Sequence, residues 1–205
     1  MHANALNKET AAVFSRFKRF TPFYLVGGSA LALQIGHRLS VDLDFFSAEE
    51  LTSGLLPKIK RIFPDVSVEV TLRVPGQYNL LINRVKTTFF HYPYPVRQPF
   101  VYHHEVPLAS VAEIAAMKAL AVGKRLSYKD YIDWYFLLKE QHVTLSEVIA
   151  LSEKKFNGDF NDRLFLEQLA SFSDIPAADI VFLRDAIMRE TVEDFLVKTV
   201  KAFAL

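Results

Sequence analysis

Residues 23–46 read FYLVGGSALALQIGHRLSVDLDFF, two apolar runs joined by a glycine turn and a short helical pattern. The first run is aromatic and β-branched and ends at glycines, which predicts a buried strand. A helix over residues 30–35 follows, with Ser29 as its predicted N-cap and Gly36 as its left-handed C-terminal residue. Residues 41–46 form a second predicted strand. The order is therefore strand, turn, helix and strand.

The glycine turn has the features of a phosphate site. Gly27 and Gly28 allow the backbone to adopt positive φ and to approach a ligand closely. Free N–H groups at a helix start, with the positive end of the helix dipole, attract phosphate, and the Ser29 hydroxyl is a further donor. An ordinary strand-to-helix turn with a serine cap uses the same residues, so the turn alone leaves both interpretations open.

Two carboxylates follow on the second predicted strand. Because side chains alternate across a strand, Asp42 and Asp44 point to the same face. Carboxylates placed this closely repel each other unless a cation or water separates them, and hard oxygen ligands suit Mg²⁺ (or Mn²⁺). A polar sheet face is the alternative, but acids are disfavoured in strands. Turn and acids together predict a site for a metal-bound nucleoside triphosphate.

Composition limits the other functions. The charges nearly cancel, with 24 Lys and Arg against 23 Asp and Glu, so a nucleic-acid contact requires a local patch. The absence of Cys excludes disulfides, thiolate metal sites and a Cys nucleophile. The N-terminus lacks a signal-peptide pattern, and no apolar run reaches membrane-spanning length. We therefore expect a cytoplasmic protein with no membrane partner.

Two stretches resemble a known family. The signature of the nucleotidyltransferase superfamily is a Gly-Gly or Gly-Ser pair, then a short helix, then Asp-x-Asp. More narrowly, two runs of this sequence resemble the AbiEii/AbiGii group. They are Gly27-Gly28-Ser29-Ala30-Leu31 and His37-Arg38-x-Ser40-x-Asp42-Leu43-Asp44-Phe45-Phe46. It includes toxins of type IV toxin–antitoxin systems and the related MenA-type toxins. A second similar stretch is Ala116-Met117-Lys118-Ala119-Leu120, then Arg125, then Lys129-Asp130-Tyr131-x-Asp133.

The resemblance implies a fold and an activity. The fold is α+β (α/β): a mixed β-sheet core with flanking helices over residues 1–107, then a helical region over residues 108–205. The activity is transfer of a nucleoside monophosphate from a nucleoside triphosphate to an acceptor hydroxyl. The acceptor is an RNA 3′ end, a protein side chain or a small molecule, and a cognate antitoxin is an expected partner.

The resemblance also implies site residues. Asp42 and Asp44 hold the metal ion, Lys118 contacts the triphosphate, and Asp130 faces the metal site. Asp130 also suits a second role, as the acid three residues after a helix-capping Ser127. The remaining candidates for phosphate binding are Gly27, Gly28, Ser29, His37, Arg38, Ser40 and Arg125. The pair His37-Arg38 either holds phosphate or braces the loop.

The sequence departs from the family pattern at one position. The related toxins have a third carboxylate in a Lys-x-Asp run, and here the matching run is Lys86-Thr87-Thr88. That acid commonly acts as a base or a metal ligand. Glu69, on a half-buried strand predicted over residues 66–72, is a candidate substitute. The alternative function is a non-catalytic nucleotide-binding or protein-interaction module.

Two further features concern the ends of the sheet. Ser47-x-x-Glu50 matches a capping box, which predicts a helix directly after the Asp strand. Residues 93–107 contain four prolines, which predicts that the sheet ends there and the helical region begins.

Overall fold

The computed structural model describes residues 1–122, 124 and 127–204. Its strands are β1 (Tyr24–Val26), β2 (Leu43–Ser47), β3 (Val68–Val74), β4 (Gln77–Ile82), β5 (Val85–His91), β6 (Val101–His103) and β7 (Val106–Leu108). Its helices are α1 (Lys8–Ser15), α2 (Gly27–Ile35), α3 (Leu55–Ile62), α4 (Val111–Ala121), α5 (Tyr128–Lys139), α6 (Leu145–Phe156), α7 (Asp162–Leu169) and α8 (Arg189–Ala204).

Within the described residues, the seven strands form one mixed sheet in the order β3-β4-β5-β2-β1-β7-β6. β2 runs parallel to β5 and β1 runs parallel to β7, whereas the other neighbours are antiparallel. The strand that carries the predicted acids is therefore central, with β1 on one side and β5 on the other. The predicted mixed-sheet class is confirmed.

The chain divides into two units. The first comprises Met1–Pro95 and Pro99–Ser110 and contains the whole sheet with α1–α3. The second comprises Val96–Gln98 and Val111–Leu205 and contains α4–α8, in agreement with the predicted helical C-terminal half.

One face of the sheet is packed by aromatic side chains. Phe17, just after α1, lies with its ring centroid 4.6 Å from that of Phe45 and 5.7 Å from that of Phe89. Along β2, Leu43 and Phe45 are buried, whereas Asp44 and Phe46 are half-buried. The predicted alternation is confirmed: the apolar side chains anchor β2 in the core, and the opposite face carries Asp44.

The second unit is built around α5. Trp134 is fully buried, and its ring lies 5.1 Å from that of Phe165 on α7. The Tyr131 hydroxyl lies 3.1 Å from the carbonyl oxygen of Gln168 and 3.1 Å from that of Ser171. These contacts bury nearly all of one helix, including its acidic residues.

The prediction of a capping box at Ser47 is wrong. β2 continues through Ser47, and the next helix begins only at Leu55, with Gly54 at its N-cap position. The Ser47 hydroxyl accepts a hydrogen bond from the Glu49 N–H at 2.9 Å, so it serves a local turn.

The sheet also extends beyond its predicted end. β6 and β7 follow the prolines, and Leu108 of β7 pairs with Leu25 of β1. Strands this short, one of them containing Pro107, carry no alternation that a sequence pattern can detect. The prediction of a half-buried β3 is wrong as well, because β3 is an edge strand with Val70, Leu72 and Val74 exposed.

Candidate active site

The turn between β1 and α2 differs in one respect from its prediction. α2 begins at Gly27, with Val26 in extended conformation at the N-cap position, so Ser29 is inside the helix and the predicted serine cap is wrong. Gly27 has φ +67° and Gly36 ends the helix with φ +63°, as predicted for a left-handed terminus. The first N–H groups of α2, from Gly27 onward, lack intrahelical partners by geometry.

The carboxylate of Asp44 lies against this turn. Asp44 pairs with Val26 across the β1–β2 ladder, which sets the acid beside the residue that precedes α2. A Cβ atom at Gly27 would lie 2.8 Å from Asp44 Oδ2. Glycine fits here for two reasons. A Cβ atom this close to a carboxylate oxygen would force one of the two to move, and the positive φ of Gly27 disfavours any residue with a side chain. The turn and the acid therefore form one site.

Gly28 accommodates a second side chain. A Cβ atom there would lie 2.5 Å from Arg38 Nη2 and 3.4 Å from Ser40 Oγ. Arg38 is buried, and its Nη1 donates to the carbonyl oxygen of Leu39 at 3.2 Å. His37 is also fully buried. This burial favours the bracing role for His37 and Arg38 over direct contact with phosphate.

The Ser29 hydroxyl is used within the protein. It donates to the carbonyl oxygen of Asp42, and Ser40 Oγ lies 2.8 Å from it. Because a hydroxyl has a single proton, the Ser40 hydroxyl is the donor in the second bond. The two serines thus hold the backbone at Asp42, and the backbone N–H of Ser29 is the group left for a phosphate.

Asp42 and Asp44 suit a metal ion whose shell is completed by phosphate oxygens. β2 begins at Leu43 and not at residue 41 as predicted, so Asp44 lies on the strand and Asp42 directly precedes it. Both acids are half-buried. Among the described residues, no three or more His, Asp or Glu side chains cluster as metal ligands. Two carboxylates with substrate oxygens are a donor set that Mg²⁺ uses, because it takes ligands from phosphates and water.

Thr88, which the family resemblance aligns with a third acid, lies beside Asp44 in the sheet. β2 and β5 are parallel neighbours, and Asp44 pairs with Thr88, which in turn pairs with Asn79 on β4. Paired residues point to the same face, so the row beside Asp44 is polar but uncharged. Thr88 is half-buried, as Asp44 is.

Glu69 does not replace the missing acid. It lies on β3 and pairs with Leu81, and both β4 and β5 separate β3 from β2. Three strand spacings put Glu69 about 14 Å from the β2 backbone. The expectation that Glu69 substitutes for the third carboxylate is wrong.

A second cluster lies in the helical unit. Lys118 Nζ on α4 is 2.7 Å from Asp130 Oδ1 and 2.6 Å from Asp133 Oδ2, both on α5. Ser127 is the N-cap residue of α5 and Asp130 lies in its first turn, as predicted, although the Ser127 side chain makes no capping bond. Asp133 was not among the predicted site residues, although its position three residues after Asp130 places both on one helix face.

Arg125, predicted to bind phosphate, lies outside the described residues.

Comparison with known proteins identifies the class. The sequence model described as nucleotidyl transferase AbiEii toxin, type IV toxin–antitoxin system, matches residues 11–201. The chain belongs to this family of nucleotidyltransferase toxins.

The chain is also similar to proteins of known sequence or structure. An uncharacterized protein of Aquifex aeolicus strain VF5 is 32% identical over 184 residues, covering 88% of this chain and 87% of that protein. The nucleotidyltransferase toxin MenT4 of Mycobacterium tuberculosis H37Rv has a similar fold, with TM-score 0.65 and 15% identity over 94% of this chain and 82% of MenT4. A candidate nucleotidyltransferase of H. pylori has TM-score 0.62 and 20% identity over 93% of this chain and 89% of its own.

In the described part of the chain, no helix is long and apolar enough to cross a membrane.

Proposed function

We propose that this protein transfers a nucleoside monophosphate from a Mg²⁺-bound nucleoside triphosphate to an acceptor hydroxyl. The observation that supports this best is the placement of Asp44 Oδ2 over Gly27, at the first turn of α2. A carboxylate for the metal and a helix N-terminus for the phosphates are then adjacent, as a metal-bound triphosphate requires.

In the proposed reaction, the backbone N–H groups of Gly28 and Ser29 bind the outer phosphates. Asp42 and Asp44 hold Mg²⁺ (or Mn²⁺), which, when bound, neutralises charge that develops on the phosphates. The acceptor oxygen forms a bond to the α-phosphorus, the bond from this phosphorus to the bridging oxygen breaks, and pyrophosphate leaves. The proton of the acceptor hydroxyl passes to water, because Thr88 is too weak a base to take it.

Lys118 and Asp130 are proposed as further residues required for transfer. The family resemblance assigns them this role, and their burial in an ion-paired cluster supports a fixed geometry. The cluster holds the Lys118 ammonium, so the default expectation for a lysine on an Ala-rich helix, a solvated surface position, does not apply.

The biological role proposed is that of a toxin in the cytoplasm, where nucleoside triphosphates are available, with a cognate antitoxin as partner. Family membership supports this role. RNA is the acceptor that we would test first, with a protein side chain or a small molecule as the other options. Induced expression in a bacterial host should arrest growth with the native chain and not with Asp44→Asn.

The direct test is incubation with each α-³²P-labelled nucleoside triphosphate, Mg²⁺ and either total RNA or total protein. We expect label in one acceptor fraction with the native chain and none with Asp44→Asn. Glu69→Gln is the matched control, since it removes an exposed carboxylate from the same sheet, far from the site. Activity that survives Asp44→Asn would contradict the proposed site.

One observation favours a second candidate, a non-catalytic nucleotide-binding module. Thr88 stands in the row of Asp44, where a third carboxylate belongs in active relatives. Calorimetric titration with nucleoside triphosphate and Mg²⁺ separates the two: binding without label transfer supports the module. Failure to bind any nucleotide supports a protein-interaction role.

A further inference from the structure

The cluster around Lys118 contains a carboxylate that the proposed reaction does not use. Lys118 Nζ lies between two acids on α5, 2.7 Å from Asp130 Oδ1 and 2.6 Å from Asp133 Oδ2. An ammonium has three N–H donors, so the two carboxylates occupy two of them. The direction of the third is then fixed by the protein.

The two acids differ in access. The side chain of Asp133 is 0% exposed and that of Asp130 is 7% exposed, whereas Lys118 is 4% exposed. Asp133 is therefore sealed inside the helical unit and cannot contact a substrate, while Asp130 retains some access. The contribution of Asp133 to any reaction must pass through the groups it holds.

Stability alone does not explain this arrangement. Removing two carboxylates and one ammonium from water costs several kcal/mol per ion, and well-packed apolar residues often do as well or better. A second buried ion pair in the same unit illustrates another use of buried charge. There Lys155 Nζ lies 2.5 Å from Glu113 Oε1, and Glu113 Oε2 accepts from the backbone N–H groups of Arg97 and Gln98.

The pair of Lys155 with Glu113 thus joins α6, α4 and residues 96–98, a structural task. The Lys118 ion pairs join α4 and α5, two helices that also bury the apolar side chains of Ile114 and Trp134. A second acid on the same lysine therefore fixes the orientation of the ammonium group more than it strengthens the link between the two helices.

We propose that Asp133 is a positioning residue that fixes the Lys118 ammonium and, through it, the Asp130 carboxylate in the geometry that nucleotidyl transfer requires. This inference rests on the proposed function for its kinetic consequence. Its structural consequence, an immobilised ammonium, does not depend on any activity.

The kinetic test compares Asp133→Asn with Glu113→Gln in the full chain. Both replace a fully buried carboxylate by its isosteric amide in the same unit, so their effects on stability should be similar in kind. We expect kcat/KM for the nucleoside triphosphate to fall on the order of 10- to 100-fold in Asp133→Asn, because a displaced group costs that much. We expect Glu113→Gln to keep kcat/KM within about twofold of the native value. The two variants are compared at temperatures equally far below their melting temperatures.

The second readout is nuclear magnetic resonance of the lysine ammonium groups in ¹⁵N-lysine-labelled protein. The Lys118 signal is assigned by its loss in Lys118→Arg. We expect it to be sharp in the native chain and in Glu113→Gln, and broadened or absent in Asp133→Asn. Should Asp133→Asn not fold, Asp133→Glu replaces it with the same two readouts, since the longer side chain displaces the ammonium.

The outcomes separate the two proposals. If the native chain transfers no label, the proposed function fails, and the ammonium signal alone decides whether Asp133 positions Lys118. An unchanged Lys118 signal in Asp133→Asn overturns the positioning role. Equal kinetic losses in Asp133→Asn and Glu113→Gln overturn it too, because they indicate a general effect of losing a buried ion pair.

Discussion

Asp44 Oδ2 occupies the space in which a side chain at Gly27 would begin, 2.8 Å from the position of its Cβ atom. The glycine turn and the Asp-x-Asp strand are thus complementary surfaces of one site. Gly28 stands in the same relation to Arg38, whose Nη2 lies 2.5 Å from the position of the Gly28 Cβ atom. At Gly27 the positive φ adds to the close contact with Asp44, so the protein itself favours glycine there before any ligand is considered.

Gly27→Ala should impair both stability and transfer. The left-handed conformation, with φ +67°, costs an alanine about 1–2 kcal/mol in unfolding free energy. The new methyl group also displaces the Asp44 carboxylate, so we expect transfer to fall at least about tenfold. Chemical denaturation and label transfer measure the two effects.

Gly54→Ala is the matched control for that substitution. Gly54 has φ −73°, and its Cβ atom would meet Thr52 Oγ1 at 3.6 Å, an ordinary contact. We expect it to remain within about 0.5 kcal/mol of the native stability and to keep full activity. Equal losses in both variants would contradict the close packing at Gly27.

Thr88→Asp should increase the rate of transfer. It adds a carboxylate in the row of Asp44, on the adjacent parallel strand, where it can accept the proton of the acceptor hydroxyl. General base catalysis typically contributes 10²–10⁴-fold, and we expect a gain of about tenfold from an unoptimised base. Initial rates at saturating Mg²⁺ test this expectation.

Asn79→Asp controls for added charge. Asn79 lies in the same row but on β4, two strands from β2 and about 10 Å away. It should leave the rate unchanged or lower it. If Thr88→Asp behaves like Asn79→Asp, the missing third acid is not what limits the rate.

Phe17→Ala should destabilise the first unit. Phe17 is fully buried, and its ring packs on Phe45 and Phe63 with centroids 4.6 and 5.2 Å away. Truncating a buried Phe costs about 3–5 kcal/mol, because apolar contact is lost and a cavity remains. Urea denaturation measures the loss. Phe203→Ala, at a position 40% exposed, should change little, and a comparable loss there would argue against this core.

Glu147→Gln should lower the melting temperature at neutral pH but not at acidic pH. In the capping box of α6, two hydrogen bonds lower the pKa of Glu147 below 4.5. The larger effect comes from the Thr144 backbone N–H and the smaller one from the Thr144 hydroxyl. A carboxyl group whose native pKa is depressed stabilises above its unfolded pKa, and this contribution disappears as the pH falls through the native pKa.

The difference between the native chain and Glu147→Gln should therefore shrink as the pH falls below 4.5. Thermal melts across this range measure it. Glu153→Gln, an exposed acid further along α6, is the control and should show no such pattern. A difference that persists unchanged at acidic pH would contradict the capping role.

Much of the first site could be predicted because its signals are local. The apolar run before Gly27, the left-handed Gly36 and the alternation that places Asp44 opposite Phe45 each depend on a few neighbouring residues. Family resemblance added Lys118 and Asp130, and membership in the family is confirmed. The failures were local patterns with more than one solution: Ser29 and Ser47 suit helix caps, yet their hydroxyls bond elsewhere.

The sequence by itself determined the elements β1, α2 and β2 and the face on which Asp44 lies, because helix and strand periods are written in adjacent residues. Only the tertiary structure decided that Thr88, and not Glu69, lies beside Asp44, since strand order depends on pairings between distant segments. It also decided that Asp133 joins Asp130 on Lys118. The spacing of the two acids places them on one helix face, but which lysine packs against that face depends on how α4 and α5 are arranged in the fold.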